Sequence, residues 1–139
     1  CTIIDLHDRS VIANITDRNI TSDLAIRTLR KALESQPTIK EGLILHSDQG
    51  SQYTSKAFTE FCESVNVTQS MSKAGYPYDN APMERYLNTL KNECTNLYEF
   101  TTEETLYQKV EEFAYVDYNH VRPHSYNGYR TPYEARTAA

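Results

Sequence analysis

Gly42-Leu43-Ile44-Leu45-His46-Ser47-Asp48-Gln49-Gly50 is a short apolar run that breaks into a polar, glycine-bearing turn. Its length suits a strand better than a helix, and the turn residues mark where the strand ends. A carboxylate, Asp48, therefore stands just past a strand, where open α/β sheets place their functional groups. Upstream, Thr2-Ile3-Ile4-Asp5-Leu6 and Val11-Ile12-Ala13-Asn14-Ile15 flank the polar turn His7-Asp8-Arg9-Ser10, which predicts an antiparallel hairpin. Thr21 or Ser22 can cap a helix carrying Leu24, Ile26, Leu29, Ala32 and Leu33 at near-helical spacing. That helix should stop before Pro37.

Downstream, a helical pattern over 55–65 puts Phe58, Phe61, Cys62 and Val65 on one face. Val67-Thr68-Gln69-Ser70-Met71 alternates like a strand, and the loop Lys73-Ala74-Gly75-Tyr76-Pro77-Tyr78 follows. A helix is expected from about Asn80, with Pro82 tolerated in its first turn and Met83, Leu87, Leu90 and Cys94 as its buried stripe. A further helix over about 103–118 carries Leu106, Val110, Phe113, Ala114 and Asp117 at mixed spacing. Glu103 and Glu104 sit in its first turn, as the helix dipole favours. Residues 119–139, rich in Pro, Tyr and Arg, are expected to form an ordered but irregular cap. Repeats, low-complexity tracts and linkers are absent from the sequence, so strands alternating with helices predict a single α/β domain over 1–139.

The chain has 139 residues, 14 Lys+Arg against 19 Asp+Glu and a net charge of -5. With 39% hydrophobic and 24% charged residues it has a globular composition and enough length for a core. No apolar run reaches the ~20 residues of a membrane-spanning helix, and no basic leader opens the chain. The expectation is a protein that is neither secreted nor in a membrane. Cys1, Cys62 and Cys94 are widely spaced with no CxxC pair, so they read as reduced thiols and not as a zinc site. The acidic balance argues mildly against a dedicated nucleic-acid binder.

Asp48 and Glu84 are two carboxylates presented from regular elements with 35 residues between them. Such a pair suits magnesium, a hard ion that takes oxygen ligands. Yet among 19 acidic residues a pair of this kind arises by chance, and spacing alone favours coincidence. The flanking residues change that balance. His46-Ser47-Asp48-Gln49-Gly50-Ser51-Gln52-Tyr53-Thr54-Ser55, Ser70-Met71-Ser72-Lys73-Ala74-Gly75 and Asp79-Asn80-Ala81-Pro82-Met83-Glu84 together resemble the integrase core of bacterial insertion-sequence transposases. The gap between Asp48 and Glu84 matches the second and third members of that family's DDE triad. Lys91 and Glu93 resemble its K-x-E pair, and Tyr118-Asn119-His120-Val121-Arg122-Pro123-His124 resembles its C-terminal YNxxRPH signature.

The resemblance spans the whole chain and implies an RNase H-like fold: a mixed central sheet flanked by helices, N-terminally truncated, with the first strand and its triad aspartate outside these residues. It implies Asp48 and Glu84 as catalytic metal ligands for Mg2+ or Mn2+, held weakly in this stretch alone. The implied chemistry is end processing and strand transfer on transposon-end and target DNA, with self-association in the active complex and a bacterial cytoplasmic, nucleoid-associated location. Lys91, Lys73, Arg85, Gln49 and Arg122 are the expected DNA contacts. Because the first aspartate has no match, this chain alone is expected to be inactive.

The remaining polar residues divide between site and scaffold. Asp5 is matched to a non-catalytic aspartate and expected to hydrogen-bond across its turn. Asp8 and Asp17 are expected to be solvated turn residues. Asn80 is expected to cap its helix, His46 to be structural, and Arg122 and His124 either to touch DNA or to tie the tail to the core, with tail anchoring slightly favoured. The cluster Tyr115, Tyr118, Tyr126, Tyr129 and Tyr133 is expected to pack the tail against the helices. Two other readings stay open: an RNase H-like nuclease without strand transfer, and a catalytically dead remnant acting as an association module.

Overall fold

Strand β3 (Ile44–Ser47) runs parallel to β4 (Thr68–Met71), in register from Ile44↔Thr68 to Ser47↔Met71. A parallel pair needs a crossover, and two helices supply it: α2 (Ser51–Thr54) and α3 (Lys56–Ser64). The computed structural model describes residues 1–36, 42–73 and 80–138. The strand begins later than the apolar run because Gly42 takes a left-handed φ of 89°. Ser55 caps α3 by accepting the Phe58 amide, and Phe58 and Cys62 are buried as the helical period requires. The helix α2 was not foreseen; its four residues are too few to show a period. Helix α1 (Ser22–Ser35) is capped by Thr21, whose side chain accepts the Leu24 amide, and ends before Pro37 as expected. It buries Leu24, Ala25, Thr28, Leu29 and Ala32 and packs on α2 and α3. These elements form one compact unit, Cys1 with Asp17–Ala81.

The second unit, Thr2–Thr16 with Pro82–Ala139, begins with the expected hairpin. Strand β1 (Thr2–Ile4) pairs antiparallel with β2 (Val11–Asn14), with a register shift between Ile3 and Ile4. The described strands thus fall into two two-stranded sheets, one parallel and one antiparallel, and not into one continuous ladder. In the hairpin turn the Arg9 amide donates to Asp5 C=O at 2.7 Å, and Arg9 itself is left-handed, φ 64°. Asp8 is not a solvated turn residue. It is 1% exposed and accepts the Ser10 amide, the Ser10 hydroxyl and Arg136 Nη1 at 2.9, 2.6 and 2.7 Å. Burial by itself would raise its carboxyl; the Ser10 bonds, the Arg136 bond and the Arg136 charge outweigh it and hold the group below the usual carboxylate range.

Helix α4 (Ala81–Glu93) carries Pro82 in its first turn, where the missing amide costs nothing. Its buried stripe differs from expectation: Tyr86 is fully buried, whereas Leu87 is 39% exposed. The face runs Met83, Tyr86, Leu90, Cys94, and these pack with Ile4, Val11, Phe113, Ala114 and Tyr118 into the core. Helix α5 (Glu103–Glu112), capped by Thr102, passes into a π-helical segment, Phe113–Val121. The wider i→i+5 turn buries Phe113 and Ala114 and then Tyr118 and Asn119, which is why an α-helical frame reads mixed spacing here. The helical backbone therefore runs past residue 118, and the tail is more regular than an irregular cap. It contains a His124↔Arg130 bridge and α6 (Pro132–Thr137), whose Thr131 cap accepts the Glu134 amide. Of the loop expected at 73–78, all but Lys73 lies outside the described residues.

Candidate functional site

Asp48 follows β3 directly and is exposed. Its Oδ1 accepts the Gly50 amide at 2.8 Å, a local turn that fixes the carboxylate at the strand end. A Cβ on Gly50 would lie 2.9 Å from that Oδ1 and 2.7 Å from Gln52 Oε1, so a larger residue there would displace the ends of these two side chains. Helix α2 then starts at Ser51. Tyr53, which no sequence signal marks beyond its place in the motif, belongs to this neighbourhood. Burial first, and the Asp48 charge second, push its phenol above the ordinary tyrosine range. Its hydroxyl lies 3.4 Å from Cys1 Sγ.

The residues around Asp48 divide between scaffold and solvent. Gln49 spends its amide on the fold, donating to Ser72 C=O at 3.0 Å and joining the turn to the end of β4. His46 has the structural role expected of it, with Nδ1 2.9 Å from Ser70 Oγ and Nε2 3.0 Å from Ser72 Oγ. Lys73 is exposed one residue beyond.

Glu84 belongs to the other unit, in the first turn of α4. It is exposed, with its carboxylate presented to solvent from the helix. Arg85 beside it is exposed, as is Lys91, two turns further along the same face. Glu93 is engaged by Arg122, whose Nε lies 3.1 and 3.0 Å from its two carboxylate oxygens. Arg122 thus joins the segment after the π-helix to the end of α4, in line with an anchoring role.

Carboxylate oxygens that remain exposed are the donors a hard divalent ion selects, and Asp48 and Glu84 fit that chemistry. Among the described residues no group of three or more His, Cys, Asp or Glu is arranged to hold a metal. Asp5 is committed elsewhere: Oδ1 accepts the His7 amide at 2.9 Å and Oδ2 faces Arg136 Nη1 at 3.2 Å. Asp17 pairs with Arg27 at 2.7 Å, so it too has a partner beyond solvent.

The tyrosine cluster is only partly a packing device. Tyr118 is buried edge-on to Tyr86 and to His124, and Tyr115 accepts the Asn14 amide at 2.7 Å. Tyr133 packs on His120 of the π-helical segment, ring centroids 4.4 Å apart, and Tyr126 lies over Arg9, whereas Tyr129 is 76% exposed. Solvated backbone turns around Gly128 (φ 64°) and Tyr129 (φ 66°) hold that stretch at the surface.

Comparison with known proteins places these features in context. Two family models, both described as an integrase core domain, match residues 1–77 and 65–132. An uncharacterized 31 kDa protein of insertion element IS600 from Shigella sonnei is 35% identical over 94% of this chain and 47% of its own length. Transposase InsF of insertion sequence IS3A from Escherichia coli is 34% identical over 94% of this chain and 45% of its own. The chain therefore spans about half the length of these curated relatives. The HTLV-2 integrase catalytic core domain, solved in complex with magnesium in a trimeric form, superposes with a TM-score of 0.65 at 19% identity, over 95% of this chain and 80% of that one. That likeness fixes the fold as the mixed α/β, RNase H-like fold of integrase cores.

Proposed function

Because this chain belongs to the integrase core domain family, we propose that it is the catalytic core of a DDE transposase, acting in DNA end processing and strand transfer. The observation that carries this reading is the pairing of family with chemistry. An exposed carboxylate held at a strand end by Gly50, and another in the first turn of a helix, fall on the residues that resemble the second and third triad positions. In this reading Asp48 and Glu84 are the residues that would hold Mg2+ or Mn2+. An ion held there would supply activation of the nucleophile and stabilisation of the leaving oxygen in an in-line phosphoryl transfer. The chain's own contribution is positional: the Gly50 amide orients Asp48, and helix α4 carries Glu84 with Arg85 and Lys91 near it. Lys73, Arg85, Lys91, Gln49 and Arg122 are assigned to the DNA backbone.

The first aspartate of the triad has no match among these 139 residues, and in this reading two carboxylates by themselves hold the ion weakly and do not suffice for DNA joining. The partners are element-end and target DNA together with further copies of the protein, and the location is the bacterial cytoplasm at the nucleoid. Among the described residues no helix is long and apolar enough to cross a membrane.

Paramagnetic broadening by Mn2+ tests the assignment on this chain directly. Amides around Asp48 and around Glu84 should broaden at the same ion concentrations, and Asp48→Asn or Glu84→Gln should remove the effect at both. Broadening centred on Asp17 or Asp23, unchanged by either substitution, would defeat it.

A further inference from the structure

The second unit holds an unsatisfied cationic corner that neither the scaffold nor the metal-binding carboxylates account for. Arg9, left-handed in the hairpin turn, has its Nη1 buried without a hydrogen-bond partner. The Tyr126 ring lies over its guanidinium at 4.1 Å, exposed and held to Leu6 C=O by a long 3.4 Å bond. His124, edge-on to Tyr118 with ring centroids 4.5 Å apart, likewise has a buried Nε2 without a partner. Buried polar groups left unpaired are costly and call for an explanation.

The charges around His124 point to what that is. Three guanidiniums act on its ring, those of Arg122, Arg85 and Arg9, against the single carboxylate of Glu93. The same four groups act on the Tyr118 phenol. Arg85 is exposed and Arg122 is partly spent on Glu93. The neighbouring acids Asp5 and Asp8 are bound to Arg136 and are not available to Arg9. In a chain of net charge -5, Arg9 stacked on Tyr126 and Arg122 bonded to Glu93 both bear on the His124 ring, together with Arg85.

We infer that Arg9, Arg85, Arg122 and His124 form an anion site for a phosphate group of the nucleic-acid backbone, with Tyr126 as the side chain that moves aside to admit it. A phosphate oxygen would give Arg9 Nη1 its missing acceptor and the Nε2-protonated tautomer of His124 its own. Arg85 and Arg122 would supply the forked donors that phosphate geometry favours. The inference rests on the DNA-acting reading for its ligand, not for its geometry. It extends DNA contact to the hairpin turn and the tail.

The test is an NMR titration of the His124 ring with inorganic phosphate and then with a short duplex, paired with duplex binding over a range of salt. The His124 resonance should shift saturably with phosphate, and the duplex should displace that phosphate. Arg9→Gln and Arg85→Gln should each abolish the phosphate shift and lower the salt slope of duplex binding by about one. Lys56→Gln, in the other unit, should do neither. Should Arg9→Gln unfold the turn, the exposed Arg85 variant still decides the matter. A His124 ring indifferent to phosphate, or salt slopes equal for Arg85→Gln and Lys56→Gln, would overturn the site. A phosphate shift that the duplex cannot displace would overturn the nucleic-acid ligand. Failure of the DNA-acting reading itself shows separately, as unchanged Mn2+ broadening in Asp48→Asn.

Discussion

Asp8 shows how much a single residue can hold. Its carboxylate is buried and depends on Ser10 and on Arg136, which comes from α6 at the far end of the sequence. Arg136→Met would strand that carboxylate in a dry site, and breaking a pair of this kind is expected to cost about 3 kcal/mol, read as a lower urea midpoint. The same carboxyl makes stability acid-sensitive. Its folded pKa lies below the unfolded value, so the stabilisation is complete above the unfolded pKa and drains away as pH falls through the folded one. Urea midpoints below pH 4 should therefore fall in the native chain and change less in Asp8→Asn. Asp48 behaves in the opposite way. Asn keeps an oxygen for the Gly50 amide, so Asp48→Asn should leave the melting temperature unchanged while removing the charge.

At the scale of elements, the π-helical segment connects the tail to the hairpin. Asn119 accepts the Val11 amide at 2.7 Å and donates to Val11 C=O at 3.0 Å, standing in for a neighbouring strand along β2. Asn119→Ala removes both bonds and leaves a buried amide and carbonyl unmet, a loss of about 2–3 kcal/mol by chemical denaturation. His124, just after this segment, is held down to about 4 by burial and then by the Arg122 charge. The unfolded chain takes up that proton first, so stability falls between about pH 6.5 and 4, and His124→Phe should flatten that stretch of the profile.

These elements differ in how plainly the sequence announces them. The strand before Asp48 is legible because a short apolar run with a polar end has one reading, and the cap at Thr21 is legible because it is local. Tyr86 is not, since Tyr86 and Leu87 both fit a helical stripe seeded at Met83, and only packing against Phe113 and Tyr118 chooses between them. The π-helical frame is hidden because it departs from the period used to find helices. Asp8 misleads because its partner lies 128 residues away.

At the scale of the whole molecule, the chain carries a net charge of -5 and spans about half the length of its curated relatives. Its cations are local, so any DNA affinity should be weak and fall steeply with salt, measurable by anisotropy between low and physiological ionic strength. The candidate site was legible through motif residues near regular elements: Asp48 past β3, Glu84 in the first turn of α4. Its wider electrostatics were not, because the influence of Arg9, Arg85 and Arg122 on His124 depends on residues far apart in sequence. The most direct measurement of the central claim is strand transfer by a protein of the relatives' full length that contains this core, with element-end DNA and Mg2+ or Mn2+. Asp48→Asn and Glu84→Gln should each reduce joining to background while end binding and melting temperature stay as in the unaltered protein; joining that persists in either variant would contradict the account.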